Sequence, residues 1–413
     1  MTLERTASDL PSGWKGILAI IAMVSGPAIT GMMLTIVLPL LPEMAKEVLG
    51  GRNVLIAMPT SGIVVGGIIA GPLIDRFSPR RIMLSMLIAF GVIGLSGMFL
   101  GGVPLLVSRF LVGVISTCVS ASSTTLIGEF IRLERRSLVI GLQMSGSSLA
   151  GIAAMNISGQ LADAFGWRVS FVLFPIIAAM IFVPGMLLIP ASARPAPSRE
   201  SGLAASGNPF AALKSVGRVL GVMWPLYLVL FLLHATAYTP NSQSSFVLAA
   251  DGVTSASLIA RMLSVNQAMI VTAALCYPLT RSLLGSRWIP ALFLALMTSG
   301  LILLGLSHDL VFVGLALGLL GLGNGTLFPH QSNLVLARAQ PEYRGRAVGL
   351  MVSNQFLADS INPFFFPPLT EALGLHYAIV AIGLFAATGL IGALLYGSRS
   401  TNLPMPAAKS FGH

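Results

Sequence analysis

The pattern of apolar and polar residues divides the chain into twelve long apolar runs that are joined by polar turns. The runs lie at about 17–41, 53–74, 82–101, 103–127, 138–161, 169–190, 219–240, 256–279, 288–306, 309–336, 345–369 and 374–397. Most are close to the ~20 residues that a helix needs to cross the ~30 Å hydrocarbon core of a bilayer. The short alternating segments of a transmembrane β-barrel are absent from the sequence. The pattern therefore predicts twelve membrane-spanning helices, with consecutive helices antiparallel.

The longest polar stretch separates six of these runs from the other six. It covers residues 191–218 and is rich in Pro, Ser, Gly and Ala, which is the composition of a flexible linker. We therefore predict a leader at 1–16, a first six-helix bundle at 17–190, the linker at 191–218, a second six-helix bundle at 219–397 and a tail at 398–413.

The two halves of the chain carry a weak internal repeat. A shift of 208 residues places Glu134, Arg136, Gly141, Leu142, Leu161 and Gly166 on Glu342, Arg344, Gly349, Leu350, Leu369 and Gly374. Two bundles related by a pseudo-two-fold axis along the membrane normal would give this repeat. Such a design places a solute site between the bundles, near the middle of the membrane.

Charge is scarce, and its distribution predicts the orientation. Charged residues make up 9% of the chain and hydrophobic residues 55%, and the mean hydropathy is +0.88. If both termini are cytoplasmic, 19 of the 24 Lys and Arg residues lie in cytoplasmic segments, as the positive-inside rule requires. The net charge of +10 then reflects topology, and we expect no nucleic-acid partner because no basic face is concentrated on a folded domain.

Sequence motifs argue against an enzyme. The chain has no G-x-x-x-x-G-K-[ST] loop and no H-E-x-x-H pair, so neither ATP hydrolysis nor zinc hydrolase chemistry is indicated. Cys118 and Cys276 both fall inside predicted spans, so we expect no disulfide framework and no metal site. No cofactor is expected.

Two polar stretches and one intramembrane arginine connect the chain to a known family. The turn after the second run reads Gly71-Pro-Leu-Ile-Asp75-Arg76-Phe-Ser78-Pro79-Arg80-Arg81, and the fifth run ends in Gly159-Gln-Leu-Ala-Asp163-Ala-Phe-Gly166-Trp167-Arg168. The fourth run carries Arg109-Phe-Leu-Val112-Gly113. These stretches are similar to the G-x-L-a-D-R-x-G-R-R, G-x-L-a-D-x-x-G-W-R and R-x-x-q-G patterns of the major facilitator superfamily (MFS). The chain departs from them at Ser78, Pro79 and Val112.

Over essentially its whole length, the chain thus resembles MFS secondary transporters. The resemblance implies an all-α integral membrane protein, with twelve transmembrane helices in two pseudo-symmetric six-helix bundles. It also implies alternating access in a multi-pass protein of a cell membrane, which we expect to be a bacterial inner membrane. The expected partners are a small-molecule substrate, protons and the lipid bilayer, and the expected state is a monomer.

The expected function is proton-coupled efflux of a small organic solute. Family members that work as antiporters usually show G-P-x-x-G-G in the fifth helix, where this chain has Ala154-Met155-Asn156-Ile157-Ser158-Gly159. Uptake of an organic anion by proton symport is therefore the alternative. A receptor that resembles a transporter but does not move solute is the less expected rival.

The resemblance also implies a conformational latch after the second helix. Gly71 would allow close helix packing, Asp75 would meet the N-terminus of the eleventh helix near Gly345, and Arg76 would be the first basic residue of the loop. Arg80 or Arg81 would pair with Glu129 at the end of the fourth helix. The alternative is that these are ordinary interfacial charges that set the topology.

Asp359 is the most informative intramembrane residue. It lies near the middle of the eleventh run, where an ionisable group costs about 2.5–3.5 kcal/mol on insertion scales. Gln355 and Asn362 share its helix face, so we predict proton coupling or substrate binding there. The alternative is a carboxyl group that is hydrogen-bonded in the helix packing. For Arg109, the resemblance suggests a cavity-facing role in proton coupling, and a structural arginine is the alternative.

Other polar residues within the apolar runs are candidates for binding substrate. Asn324 and Gln331 share one face of the tenth run, and Gln143 and Ser147 share a face of the fifth. The full set of predicted substrate contacts is Thr30, Gln143, Ser147, Tyr238, Gln267, Asn324, Gln331, Gln355 and Asn362. His234 and His330 are interpreted as hydrogen-bonded packing residues, since this is the commoner role of a lone histidine in a membrane.

Overall fold

The computed structural model describes residues 13–48, 51–131, 133–190, 209–339 and 344–399. In this part of the chain the regular structure is helical. The helices are α1 (Trp14–Val24), α2 (Gly26–Val37), α3 (Leu41–Met44), α4 (Gly51–Arg76), α5 (Pro79–Ser96), α6 (Gly102–Phe130), α7 (Leu133–Phe165), α8 (Leu173–Leu188), α9 (Pro209–Ala250), α10 (Ala256–Leu284), α11 (Ile289–Leu306), α12 (Leu310–Arg338), α13 (Arg344–Leu373) and α14 (Leu375–Arg399). Short 3₁₀ turns lie at Leu38–Leu40, Ala45–Glu47 and Trp167–Val172.

These helices confirm the predicted twelve-helix fold. α1, α2 and α3 form one crossing that is broken at Ser25, and α4 to α14 form one crossing each. In the described part of the chain, ten helices are long and apolar enough to cross a membrane. α7 and α13, with 33 and 30 residues, are also long enough at ~1.5 Å per residue.

Each half of the chain has its own hydrophobic core. One cluster of buried side chains contains only residues between Ala19 and Ile189. A second extends from Ala237 to Ala386 and takes in one residue of the first half, Met155. This division is the expected arrangement of two six-helix bundles.

Glycines set the closest helix contacts at equivalent places in both bundles. A Cβ added at Gly113 of α6 would overlap the Pro59 carbonyl of α4, and one added at Gly321 of α12 would overlap the Asn266 carbonyl of α10. Small residues let helix backbones approach closely in membranes. Gly113 and Gly321 are related by the 208-residue shift of the repeat, so the two halves share helix packing as well as sequence.

α9 differs most from its predicted bounds. It begins at Pro209 and ends at Ala250, not near residues 219 and 240. Proline suits the first position of a helix, and the Ala-Ala-Leu that follows favours helix, so the end of the predicted linker is helical. The other predicted domain boundaries stay predictions, since residues 1–12, 191–208 and 400–413 lie outside the described part.

The helix ends define two faces of the molecule. We call the face at Arg76, Phe130 and Leu188 the linker face, because the 191–208 segment follows Leu188. The opposite face, at the ends of α7, α9 and α11, is the distal face. An ion pair between Glu47 and Arg168, with an oxygen–nitrogen distance of 2.6 Å, ties two turns of the first bundle together on the distal face.

Candidate functional site

The two bundles are joined on the distal face by the carboxylate of Asp163. This residue lies in the last turn of α7 and accepts hydrogen bonds from the Ser255 hydroxyl (2.7 Å), the Ala256 backbone N–H (2.7 Å) and the Ser257 backbone N–H (3.1 Å). The first N–H groups of a helix have no partner within the helix, and they favour negative charge. Asp163 of the first bundle therefore caps α10 of the second.

Three more contacts between the bundles lie on the distal half. A Cβ added at Gly159 would lie 2.7 Å from the Ala256 carbonyl oxygen, so α7 and α10 touch through their backbones. The Asn156 amide donates to the Ser264 hydroxyl at 2.7 Å. The Ser245 hydroxyl of α9 donates to the Leu38 carbonyl at 2.6 Å. Together with the Asp163 cap, these contacts close the distal side.

Among the described residues, glycines on the linker half of α4, α7 and α13 make no such contacts. An added Cβ would meet nothing within 4 Å at Gly67 and Gly71 of α4, Gly146 of α7 or Gly349 of α13. Gly71 therefore makes no close helix contact in this conformation, and its role in the latch stays a prediction. The close approach of α4 to the α6 backbone occurs at Gly62 and Gly66. Among the described residues, contact between the bundles is concentrated distally, as in a transporter open toward its linker face.

The predicted latch residues lie on this open side. The Arg80 guanidinium donates to the Met186 carbonyl at the end of α8 at 2.5 Å, a contact that the sequence did not predict. Arg76 and Arg81 are exposed, and Glu129 is half-buried in the last turn of α6. The side chains of Asp75 and of the first residues of α13 lie outside the described part, so the latch stays a prediction.

Arg109 is buried between helices of the first bundle, with 3% of its surface exposed. Its guanidinium carbon lies 4.6 Å from the ring centroid of Phe171 and 5.0 Å from that of Phe174, and it donates to the Gly94 carbonyl at 3.3 Å. When water is excluded, a cation over an aromatic ring gains about 2 kcal/mol of interaction free energy. Among the described residues, no carboxylate lies within ion-pair distance of Arg109, so its charge is held by rings and carbonyls.

Arg109 also borders a small cavity between the bundles. The cavity has a volume of about 30 Å³, and its other lining residues are Met33, Leu34, Val37, Leu38, Leu41, Leu55, Ile56, Pro59, Val112 and Tyr238. The lining is apolar except for the guanidinium and the Tyr238 phenol. Tyr238 belongs to α9 of the second bundle and packs against the core of the first. The cavity thus brings two of the predicted site residues together.

Asp359 lies on α13, which packs against α9, the helix that carries Tyr238. It is buried, with 6% of its surface exposed. Among the described residues, no ion pair or hydrogen bond to this carboxyl is found. The candidate site therefore comprises a buried guanidinium in the first bundle, a phenol that packs against it, and a buried carboxyl on the helix next to that phenol.

Two of the predicted substrate contacts donate hydrogen bonds to the middle of α9, and their substrate role stays a prediction. Pro240 lies within α9, and its missing N–H and bulky ring disturb the helix hydrogen bonds one turn earlier. The Asn362 amide donates to the Ala235 carbonyl at 2.5 Å, and the Asn324 amide donates to the Ala237 carbonyl at 3.0 Å. In this conformation both asparagines stabilise a proline-containing helix.

Gln331 is also tied within the second bundle. It is fully buried, and its Oε1 lies 2.7 Å from His234 Nε2, while its amide nitrogen has no hydrogen-bond partner. His330 Nδ1 lies 3.3 Å from the Tyr277 hydroxyl. Both histidines are therefore hydrogen-bonded packing residues, as the sequence indicated.

The remaining candidates are spread over both bundles. The Thr30 hydroxyl donates to the Ser116 carbonyl at 3.3 Å, and the Ser147 hydroxyl donates to the Gln143 carbonyl at 2.6 Å. The Gln143 amide nitrogen is buried without a hydrogen-bond partner. Gln267 and Gln355 are half-buried. A substrate role for any of these residues stays a prediction.

Sequence reasoning missed the polar run Asn241 to Ser245 in α9. Ser242 donates to Asn362 Oδ1 at 3.0 Å, and Ser242, Gln243 and Ser244 are fully buried. The predicted seventh apolar run ends at residue 240, so this stretch falls outside it. The apolar residues Phe246 to Ala250 that follow directly are the signal that the helix continues. The capping role of Asp163 was missed because it depends on a helix start some 90 residues away.

Comparison with known proteins agrees with this architecture. The model of the Major Facilitator Superfamily matches residues 23–363. The chain is similar to the inner membrane transport protein YnfM of Escherichia coli K12, with 27% identity over 169 residues, which is 39% of this chain and 40% of that protein. It is also similar to the 4-hydroxybenzoate transporter PcaK of Pseudomonas putida, with 29% identity over 32% of this chain and 30% of that protein. The chain thus matches less than half the length of these relatives.

Among solved structures, the fold is similar to a bacterial homologue of the human lysosomal transporter Spinster, solved in an inward-facing and unoccupied conformation. The TM-score is 0.74 at 13% identity, and the match covers 96% of this chain and 100% of that one. This likeness concerns the fold.

Proposed function

Because the chain belongs to the major facilitator superfamily, we propose that it is a proton-coupled transporter of small organic anions that works by alternating access between its two bundles. That it is a multi-pass membrane transporter and not an enzyme follows from the family. The observation that carries the finer proposal is the burial of one ionisable residue in each bundle, Arg109 in the first and Asp359 in the second.

Proton coupling is supported by the position of Asp359. A buried carboxyl without an ion-pair partner is far less costly as a neutral acid than as an anion. When the interface opens, water reaches such a group and the proton is released. Proton exchange at Asp359 would thus follow the same conformational cycle that opens and closes the cleft. Tyr238 lies on α9, which packs against the helix of Asp359, and its contact with the first bundle would transmit the change.

An anionic substrate is supported by Arg109 and by the apolar cavity lining. A buried guanidinium held by rings and carbonyls retains its positive charge for a ligand carboxylate. The apolar residues around it suit a hydrocarbon body. At about 30 Å³ the cavity is too small for such a molecule in this conformation, so a carboxylic acid with an apolar or aromatic body would enter only when the bundles rearrange. 4-hydroxybenzoate, named for one relative, is of this class.

The direction of transport has two candidates. Export against an inward proton gradient is the expectation from the sequence. Uptake is favoured by the polar Asn156–Ser264 contact, which stands in the stretch where antiporters of the family usually carry Gly-Pro. We further propose that the linker face is cytoplasmic in a bacterial inner membrane, as the distribution of Lys and Arg indicates.

Purified protein in liposomes that contain a pH-sensitive dye tests proton coupling and direction together. An inward gradient of 4-hydroxybenzoate should acidify the lumen faster than in protein-free liposomes if anion and proton move together. It should make the lumen alkaline if they exchange. A luminal pH that changes only as fast as in protein-free liposomes would refute proton-coupled transport of this substrate.

Arg109 variants test the substrate class. Arg109→Gln removes the charge and should raise KM for 4-hydroxybenzoate by at least tenfold, whereas Arg109→Lys keeps a cation and should raise it less. The uncharged amide of the same acid is the control ligand, since its competition should be equally weak in all three proteins. An unchanged KM in Arg109→Gln would show that the arginine is structural.

A further inference from the structure

We propose that Asp251, His308 and His376 form a binding site for a divalent transition metal ion, such as Zn²⁺, on the distal face of the second bundle. The site is independent of the transport proposal, since none of its residues borders the cavity at Arg109. The sequence-based expectation of no metal site considered the two cysteines and missed this cluster, because its residues are far apart in the chain.

Each of the three residues is placed by a helix end. Asp251 follows α9, where Val253 N donates to the Leu248 carbonyl at 2.9 Å and Gly252 N donates to the Ala249 carbonyl at 3.2 Å. With Gly252 at φ +86°, this is a Schellman motif, which holds Asp251 in a fixed position.

His308 and His376 come from neighbouring turns. His308 precedes Asp309, whose side chain caps α12, and His376 is the second residue of α14. A Cβ added at Gly305 of α11 would lie 2.7 Å from the His376 carbonyl oxygen, so α11 and α14 are in backbone contact here. This close approach brings the two histidine rings to a centroid distance of 4.8 Å.

The ligand atoms have the spacing of a three-residue metal site. They all lie within 4.8 Å of one another, with Asp251 Oδ1 at 2.6 Å from His308 Nδ1 and at 3.0 Å from His376 Nε2. In a tetrahedral zinc site, with bonds of 2.0–2.2 Å, ligand atoms lie about 3.3–3.6 Å apart. Side-chain shifts of less than about 1 Å would therefore admit the ion.

Two buried polar atoms of the cluster lack hydrogen bonds. The Asp251 side chain has only 6% of its surface exposed, and its Oδ2 has no hydrogen-bond partner. His376 Nε2 lies near Asp251 Oδ1 but without the alignment of a hydrogen bond. Unpaired buried polar atoms are costly, and coordination of a cation by these atoms would remove that cost.

The surroundings allow an ion to enter and to keep a water ligand. His308 has 70% of its side chain exposed, and a cavity of about 350 Å³ opens beside His308 and His376. Two imidazoles and one carboxylate suit zinc, nickel or copper, whereas magnesium prefers oxygen ligands. The proposed site thus has three protein ligands and an open position.

Thermal unfolding and isothermal titration test the site, on full-length protein purified in detergent through a tag without histidine. Zn²⁺ should raise the melting temperature of the wild type and bind with a stoichiometry of one, and Mg²⁺ should do neither. His308→Gln should lose at least tenfold in Zn²⁺ affinity, and its exposed side chain makes it the variant least prone to misfold. Asp251→Asn and His376→Gln should lose at least as much.

Asp309→Asn is the matched control. It removes a carboxylate one residue from His308 but keeps a side chain that caps a helix, so it should retain the Zn²⁺ response in full. The proposal would be overturned by wild-type protein that does not bind Zn²⁺ more tightly than His308→Gln. Equal stabilisation by Mg²⁺, or an equal loss in Asp309→Asn, would show that the face attracts cations only through its charge.

Discussion

Replacement of Asp163 by asparagine should open the distal face. The carboxylate accepts three hydrogen bonds from Ser255, Ala256 and Ser257, and this contact exists only while the bundles touch on that side. Asparagine keeps one acceptor oxygen and loses the negative charge at the N-terminus of α10. Asp163→Asn should therefore favour conformations that are open on the distal face.

The expected size of the effect follows from these contacts. The larger part of the lost free energy comes from the hydrogen bonds, since one or two of the three would be lost at about 0.5–1.5 kcal/mol each. Loss of the charge at the helix terminus adds about 0.3–1 kcal/mol. The hydrogen bonds are solvent-exposed, so we expect a total of about 1–2 kcal/mol, which is a factor of about 5–30 in the ratio of open to closed molecules.

Pulsed electron paramagnetic resonance measures this ratio. Spin labels at Phe165 and Val311, which are 70% and 76% exposed, report the separation of the bundles on the distal face once Cys118 and Cys276 have been replaced. Asp163→Asn should increase the long-distance population. Glu43→Gln is the control, because Glu43 pairs with Lys46 within the first bundle. Identical distance distributions for wild type and Asp163→Asn would refute the reasoning, and so would an equal shift in Glu43→Gln.

Two further predictions concern the stability of the bundles, measured as melting temperature in detergent. Gly62→Ala should destabilise the first bundle by about 1–3 kcal/mol, because the added methyl group would overlap the α6 backbone; Gly67→Ala in the same helix meets nothing within 4 Å and should be neutral. Asn362→Ala should cost about 1–3 kcal/mol by leaving a buried carbonyl of α9 without its donor. Asn333→Ala is its control, since Asn333 is exposed and bonds only to its own helix. Equal melting temperatures for Gly62→Ala and Gly67→Ala, or for Asn362→Ala and Asn333→Ala, would contradict the packing described above.

The membrane crossings were predictable because hydrocarbon thickness imposes one length on every span. Helix bounds were less predictable where polar residues continue a helix. In α9, Ser242 to Ser245 are buried by neighbouring helices, and a hydropathy pattern contains no information about those neighbours. The break between α1 and α2 at Ser25 lies two residues before Pro27, as expected for a residue that disrupts the interior of a helix but suits its first turn.

Single ionisable residues in apolar runs were identified correctly as buried groups, as Arg109 and Asp359 show. Their partners were not predictable from helical spacing. Asn324 and Asn362 lie on polar faces whose amides donate to α9 carbonyls in this conformation, and helical spacing does not identify that partner. The cluster of Asp251, His308 and His376 depends on three turns meeting in space, which requires the packing of α11 against α14.

Transport by Asp359→Asn in proteoliposomes tests the central proposal most directly. Exchange of labelled for unlabelled 4-hydroxybenzoate, without a gradient, requires only alternating access, whereas accumulation driven by a pH gradient requires a coupled proton. We predict that the variant retains exchange and loses accumulation. Accumulation at the wild-type level in Asp359→Asn would contradict the account, because the proton would then be carried by another group.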